Sequence, residues 1–205
     1  MESLVSRGHR SPIPLPDGRT TQDLAAGEFG PRVTRVTRVR VKGLPLHPST
    51  LAKTAGAAFL TAAIGGRATG PAVQTDWYAK LRKPSFQPPK QVFPIVWPLL
   101  YTDIAGVSAA TIDELDARGD TEQARKFSAL LALNLVLNGS WSWLFFNRRQ
   151  LGGAAILAGA LAVSSADLTR RAVRVKGAPA RVLWPYPLWC TFATVLSSRI
   201  WWLNR

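Results

Sequence analysis

Cysteine, histidine and acidic residues are scarce in this 205-residue chain, and each shortage removes a class of function. The single cysteine, Cys190, rules out an intrachain disulfide and a zinc knuckle. Both histidines, His9 and His47, precede the first long apolar run, so the body of the chain has no imidazole to serve as metal ligand or general base. No metal is therefore expected. No catalytic triad or phosphate-binding loop is present, and the Gly65-Gly66 pair leads into no such motif. Charged residues make up 19% of the chain, below the ~25% of an ordinary soluble domain.

What charge there is has one dominant sign. Lys and Arg number 26 against 12 acids, a formal charge of +14, which points first to nucleic acid or an anionic membrane. Distribution separates the two. Beyond residue 49 the cations sit mostly in short clusters between apolar runs, such as Arg82-Lys83, Arg148-Arg149 and Arg170-Arg171. No basic recognition helix or aromatic-and-basic sheet pattern accompanies them, so no nucleic acid partner is expected.

Residues 1–49 are rich in Pro, Gly, Arg and Thr and hold eight cations against four acids. The alternating "VTRVTRVRV" (Val33–Val41) has a strand-like period of two, but no nearby segment could pair with it. The segment reads as a disordered or membrane-hugging basic arm. It lacks the apolar core of a secretory signal, while its arginines leave a transit peptide open.

Residues 50–205 read as one all-α domain. Five apolar segments follow in order: Leu51–Val73, Val92–Ile112, Phe127–Phe146, Leu151–Leu168 and Leu183–Leu203. Each is about 20 residues, the length that crosses a ~30 Å hydrocarbon core at 1.5 Å per residue. Stretches such as "GGAAILAGALAVSSA" are apolar nearly all round, whereas a soluble bundle helix needs a polar stripe. The mean hydropathy of +0.04 is diluted by the arm. A membrane bundle of five transmembrane helices is expected, with short links that force neighbours to run antiparallel.

All eight tryptophans lie after residue 76. Trp77, Trp184, Trp201 and Trp202, near predicted helix ends, suit the belt of indoles at a membrane surface, and Tyr78 suits it too. Trp97 and Trp189 lie five or six residues into their predicted helices, where a belt position and a ligand-facing one are equally open; each has a residue four positions on, Tyr101 and Ala193, on the same helix face. Two indole plates from different helices could hold a flat apolar molecule and direct their N–H groups at its polar edge. In "KPSFQPPK" three prolines stiffen the link before the second helix. Asp103 falls mid-helix, where a carboxylate costs roughly 3 kcal/mol. It should meet another helix, with Asn134, Asn138, Ser142 or Arg199 as partners.

Three stretches together are more specific: "WYAKLRKPSFQPPKQVFPIVWPLLY" (77–101), "LNGSWSWLFFNRRQLG" (137–152) and "WPYPLWCTFATVLSSRIWWLN" (184–204). In order and spacing they resemble the TspO/MBR family of tryptophan-rich sensory and translocator proteins, also called peripheral-type benzodiazepine receptors. The resemblance covers about residues 51–204. It implies five transmembrane helices, in some members a homodimer, and a pocket capped by the loop between the first two helices. It implies a porphyrin or other tetrapyrrole as ligand and no obligatory cofactor.

Carried over by motif, the ligand-binding positions are Trp97, Tyr101, Asn138, Trp141, Trp189, Ala193, Lys83 and Pro84. Lys80, Arg82, Lys83 and Lys90 could pair with porphyrin propionates. The implied function is a membrane receptor, sensor, regulator or carrier for tetrapyrroles, in contact with lipid in a bacterial-type cell membrane. The alternative within the family is light-dependent oxidative porphyrin breakdown, for which Trp97 and Trp189 would be the catalytic candidates. An ion or proton path through Asp103 is disfavoured because one isolated acid makes a poor relay. Sterol recognition by the vertebrate pattern is also disfavoured: in "VLSSRIWWLN" Ser198 stands where the tyrosine would be, and Arg199 comes too early. Gly139 and Gly153 stand where vertebrate members place bulky aromatics, which would make the pocket roomier or differently shaped.

Overall fold

Prolines and glycines set the helix boundaries. The structure, a computed structural model, describes residues 46–205. Helix α1 (Pro48–Ala72) opens on a proline, where a missing N–H breaks no bond, and ends one residue after Pro71. The short α2 (Asp76–Lys80) is capped by the Thr75 hydroxyl, which accepts from the Tyr78 N–H. Helix α3 (Phe93–Ala117) begins with Pro94 in its first turn and runs through Pro98. Gly119, at φ 77°, reverses the chain into α4 (Thr121–Ser142), whose N-cap Asp120 accepts from the Gln123 N–H. A five-residue π turn (Trp143–Asn147) leads to α5 (Leu151–Lys176). Gly177, at φ 71°, and a 3₁₀ segment (Ala178–Leu183) lead to α6 (Pro185–Leu203).

All regular structure among the described residues is helical, and α1, α3, α4, α5 and α6 are the long elements. Several boundaries differ from the sequence expectation. Helix α1 takes in Pro48 and Ser49, which were assigned to the arm. Helix α4 starts at Thr121 rather than Phe127, because the Asp120 cap lets the polar "TEQARK" join it. Helix α5 continues past Leu168 to Lys176, where Lys176 and Arg118 both bind Glu114 of α3. Polar turns outside an apolar core remain helical because capping and ion pairs support them. The alternating segment and the rest of the arm up to residue 45 lie outside the described residues.

The packing is apolar outside and partly polar inside. Each long helix turns large apolar side chains outward, among them Phe59, Leu99, Val136, Ile156 and Leu188. Thr111, Asn134, Ser165, Thr169 and Ser197 are buried. Water would penalise such an exterior, and a bilayer would not. Three helical stretches, Phe93–Ala117, Thr121–Asn147 and Leu151–Lys176, are long and apolar enough to cross a membrane. The chain is thus a helical membrane bundle.

Small residues let the helices approach closely. A Cβ on Gly152 of α5 would fall 3.1 Å from the Trp201 indole of α6, and one on Gly159 would fall 3.7 Å from Thr194. The Gly152, Ala155 and Gly159 face therefore packs within the molecule. At the end where α1 begins, Asp113 is buried and accepts from the His47 N–H at 2.8 Å, placing a carboxylate at the positive end of α1.

Candidate functional site

Helices α1, α3, α4 and α6 surround a cavity of about 640 Å³ at the end of the bundle closed by residues 73–92. That volume falls within the ~300–1,000 Å³ of small-molecule sites. The α1 wall is formed by small residues, Ala62, Gly65, Gly66 and Gly70, and the space exists because no side chains fill it. The remaining walls are aromatic. Phe93, Trp97 and Tyr101 come from α3, Trp141, Phe145 and Phe146 from α4 and its π turn, and Trp189 and Phe192 from α6.

Local structure explains the arrangement. Trp97 and Tyr101 stack at 5.6 Å, one helical turn apart. Trp189 packs its edge on Phe93 at 5.8 Å and lies 5.4 Å from Phe192. Trp141 stacks on Phe145 at 5.3 Å. The π turn packs Phe145 edge-on to Phe146 at 4.8 Å.

Polar groups are few and specific. Tyr101 Oη donates to Asn138 Oδ1 at 2.9 Å, and Asn138 Nδ2 donates to Tyr186 Oη at 3.3 Å. Tyr186 Oη donates to Asn134 Oδ1 at 2.6 Å, and Asn134 Nδ2 donates to Ser164 Oγ at 3.1 Å. This chain of bonds runs from the cavity wall through four helices and leaves Tyr186 0% exposed. By contrast, Trp141 Nε1, Trp189 Nε1 and Gln87 Oε1 are buried with no partner among the described residues. Two donors and one acceptor around the cavity are thus unused.

The capping segment is tied down at both ends of its reach. Asn204, at the end of α6, accepts from the Arg82 N–H through Oδ1 and donates to the Arg82 carbonyl through Nδ2, both at 2.9 Å. Trp77 packs on Phe145 and Tyr78 on Phe146, at 6.3 and 5.9 Å. Burial raises the Tyr78 phenol above its ordinary value, so it stays neutral as it receives the Gln87 Nε2–H. Replacing Asn204 with alanine should free residues 79–84: trypsin should cut after Lys80 or Arg82 several-fold faster than in the parent protein. An unchanged cleavage rate would mean that the aromatic contacts alone hold the cap.

Six of the eight sequence-selected residues, Trp97, Tyr101, Asn138, Trp141, Trp189 and Ala193, line this one cavity. Lys83 and Pro84 do not. The Lys83 ammonium turns back on α2, bonding the Tyr78 and Leu81 carbonyls and lying 4.5 Å from the Tyr78 ring. Free carbonyls at a helix end attract a cation, and here they take it from the cavity. Pro84 is buried beneath the loop. Of the four loop cations proposed for propionates, Lys90 alone lines the wall.

Trp77 and Tyr78 are half-buried and pack on the π turn, while Trp184, Trp201 and Trp202 are exposed. Other expectations are corrected too. Asp103 is half-buried and forms no hydrogen bond or ion pair with Asn134, Asn138, Ser142 or Arg199, since those amides bond to tyrosines and Ser164. A Cβ on Gly139 would meet Thr61 and one on Gly153 would meet Leu144, so these glycines serve helix packing and do not widen the cavity.

Sequence reasoning missed Gln87, Phe192 and the glycine wall of α1. The pair Gly65-Gly66 lies in a small-residue-rich apolar segment whose open face the sequence does not by itself announce. The four-residue spacing from Gly66 to Gly70 was the available hint of it.

Comparison with known proteins places the chain among relatives. Residues 54–203 match the model of the TspO/MBR family. The chain is 36% identical to the translocator protein of Homo sapiens over 125 residues, 61% of this chain and 73% of that one. It is 30% identical to protein CrtK of Rhodobacter capsulatus over 128 residues, 62% of this chain and 78% of the other. It is 29% identical to the tryptophan-rich sensory protein of Cereibacter sphaeroides over 147 residues, 71% of this chain and 89% of its relative.

Proposed function

This chain belongs to the TspO/MBR family, and from that premise we propose that it binds tetrapyrroles, porphyrins foremost, as a membrane sensor, regulator or carrier. In this reading all five long helices span the bilayer, in a bacterial-type cell membrane. Helix α6, 19 residues long, extends about 28 Å, close to the hydrocarbon thickness. Both α1 and α6 expose apolar side chains, as Phe59, Ile64, Leu188 and Val195 do.

The observation that carries the proposal is the cavity itself: about 640 Å³, walled by indoles from three helices, two of them with unused N–H groups. A planar macrocycle supplies aromatic faces for Trp97 and Trp189. Its carboxylates supply acceptors for an indole N–H and a counter-charge for Lys90. The stacked pair Trp97–Tyr101 also favours a second reading, light-driven oxidation of bound porphyrin with dioxygen as the electron acceptor, because an indole and a phenol in contact can relay an oxidising equivalent.

Titrating the detergent-solubilised protein with protoporphyrin while following tryptophan emission tests binding. Trp189→Ala should weaken affinity about 10-fold, in line with an aromatic anchor. Lys90→Ala should weaken protoporphyrin about threefold and leave its dimethyl ester unaffected, a surface-level charge effect. Affinity that ignores both substitutions would remove the cavity as the porphyrin site. Bleaching of the bound pigment under light, lost in Trp97→Phe, would select the enzymatic reading.

A further inference from the structure

We propose that the outward face of α6 near its carboxy-terminal end binds the phosphodiester headgroup of an anionic phospholipid, held by Arg199 and Arg205 on either side of Trp202. The proposal rests on the reading above that α6 spans the bilayer.

Thr194, Val195, Ser198, Arg199 and Trp202 line one shallow groove on this helix. They recur at intervals of three and four residues, so they share a face. Arg199 is exposed four residues before the helix ends, and neither it nor Arg205 forms an ion pair among the described residues. The Arg205 guanidinium lies over the Trp202 ring, 3.1 Å from its centre, and Trp202 is 54% exposed.

An exposed indole places this turn at the headgroup level, and the Arg199 stem is long enough to carry its charge there. A guanidinium fork matches two phosphate oxygens at once. Below the cations the groove becomes suited to an acyl chain. Val195 is exposed, and the Thr194 hydroxyl already donates to the Cys190 carbonyl at 2.8 Å, so it makes no further polar demand.

Two further features fit an anion. Asn204 donates to the Ile200 carbonyl at 2.7 Å and bonds both backbone groups of Arg82, so the turn that carries the site is rigid. The acids of the described residues lie toward the other end of the bundle, in α3 after Ile112, in the turn to α4, and at Asp167, apart from Asp76 and Asp103. No acidic side chain among the described residues lines the groove.

The test uses the full chain in vesicles of phosphatidylglycerol and phosphatidylcholine at one fixed composition, with bromine placed on the acyl chains of either lipid. The Trp202 signal is the difference between the parent protein and Trp202→Phe. Brominated phosphatidylglycerol should quench it in excess of brominated phosphatidylcholine, reflecting about fivefold local enrichment per arginine. The excess should vanish in Arg199→Gln/Arg205→Gln. Equal quenching by the two lipids, or an excess that survives the double substitution, overturns the site while leaving α6 in the bilayer. Quenching by neither lipid overturns the membrane reading of α6; if the protein then sediments as a dimer, a second copy covers this face. Porphyrin titration of the double variant should match the parent, since neither arginine lines the cavity.

Discussion

Ala193→Phe is expected to abolish porphyrin binding in practice, weakening it by about 100-fold, while the protein stays folded. Ala193 lies on the cavity wall one helical turn beyond Trp189. A phenyl ring added there projects into open space rather than into packed core, so it displaces ligand without overpacking the bundle. Its new neighbours would be aromatic, Trp189 and Phe192 among them, which favours retention of the fold. Two measurements on one preparation check this: the protoporphyrin affinity and the thermal midpoint. An affinity within about threefold of the parent would place the pigment elsewhere, because a ring of this size cannot share the cavity with a macrocycle.

The second large effect is on stability. Tyr186→Ala should cost about 4 kcal/mol, and Tyr186→Phe about 1–2 kcal/mol. Tyr186 is 0% exposed and touches the cavity only through Asn138. Alanine leaves a void the size of a ring and strands two amides. Phenylalanine keeps the volume and strands only Asn134 Oδ1 and one proton of Asn138 Nδ2. Within a bilayer a lost interhelical hydrogen bond is worth less than a lost ring, because the freed groups find other partners. Equilibrium unfolding in mixed micelles measures both values. Equal losses for the two variants would mean that the hydroxyl dominates. That result would make the chain of bonds from Tyr101 to Ser164 the main fastening of the four helices.

These two residues also mark how far the sequence could be read. Ala193 was legible because the motif resemblance singles it out, and its place four positions after Trp189 puts the pair on one helix face. The same rule placed Trp97 with Tyr101. The partners of those faces were less accessible. The motif match singled out Asn138, but nothing in one sequence pairs its amide with Tyr101 on one side and Tyr186 on the other. Lys83 shows the converse error. A cation in a capping loop suits an anionic ligand, yet the nearest negative potential was the carbonyl end of α2, five residues or fewer away. Asp103 failed similarly: the amides it was expected to meet bond to tyrosines and a serine instead.

By itself the sequence determined that this is a helical membrane chain and where its apolar segments lie. Those properties depend on length, hydropathy and a 3.6-residue period, which are local quantities. Only the tertiary structure decided that a bare glycine face on α1 opens a cavity opposite the aromatics, that the cap is fastened by Asn204, and that Lys90 rather than Lys83 borders the space. The first two depend on groups far apart in the chain, Arg82 and Asn204 being 122 positions apart, and the third on a local competition for the Lys83 ammonium that sequence spacing alone does not decide.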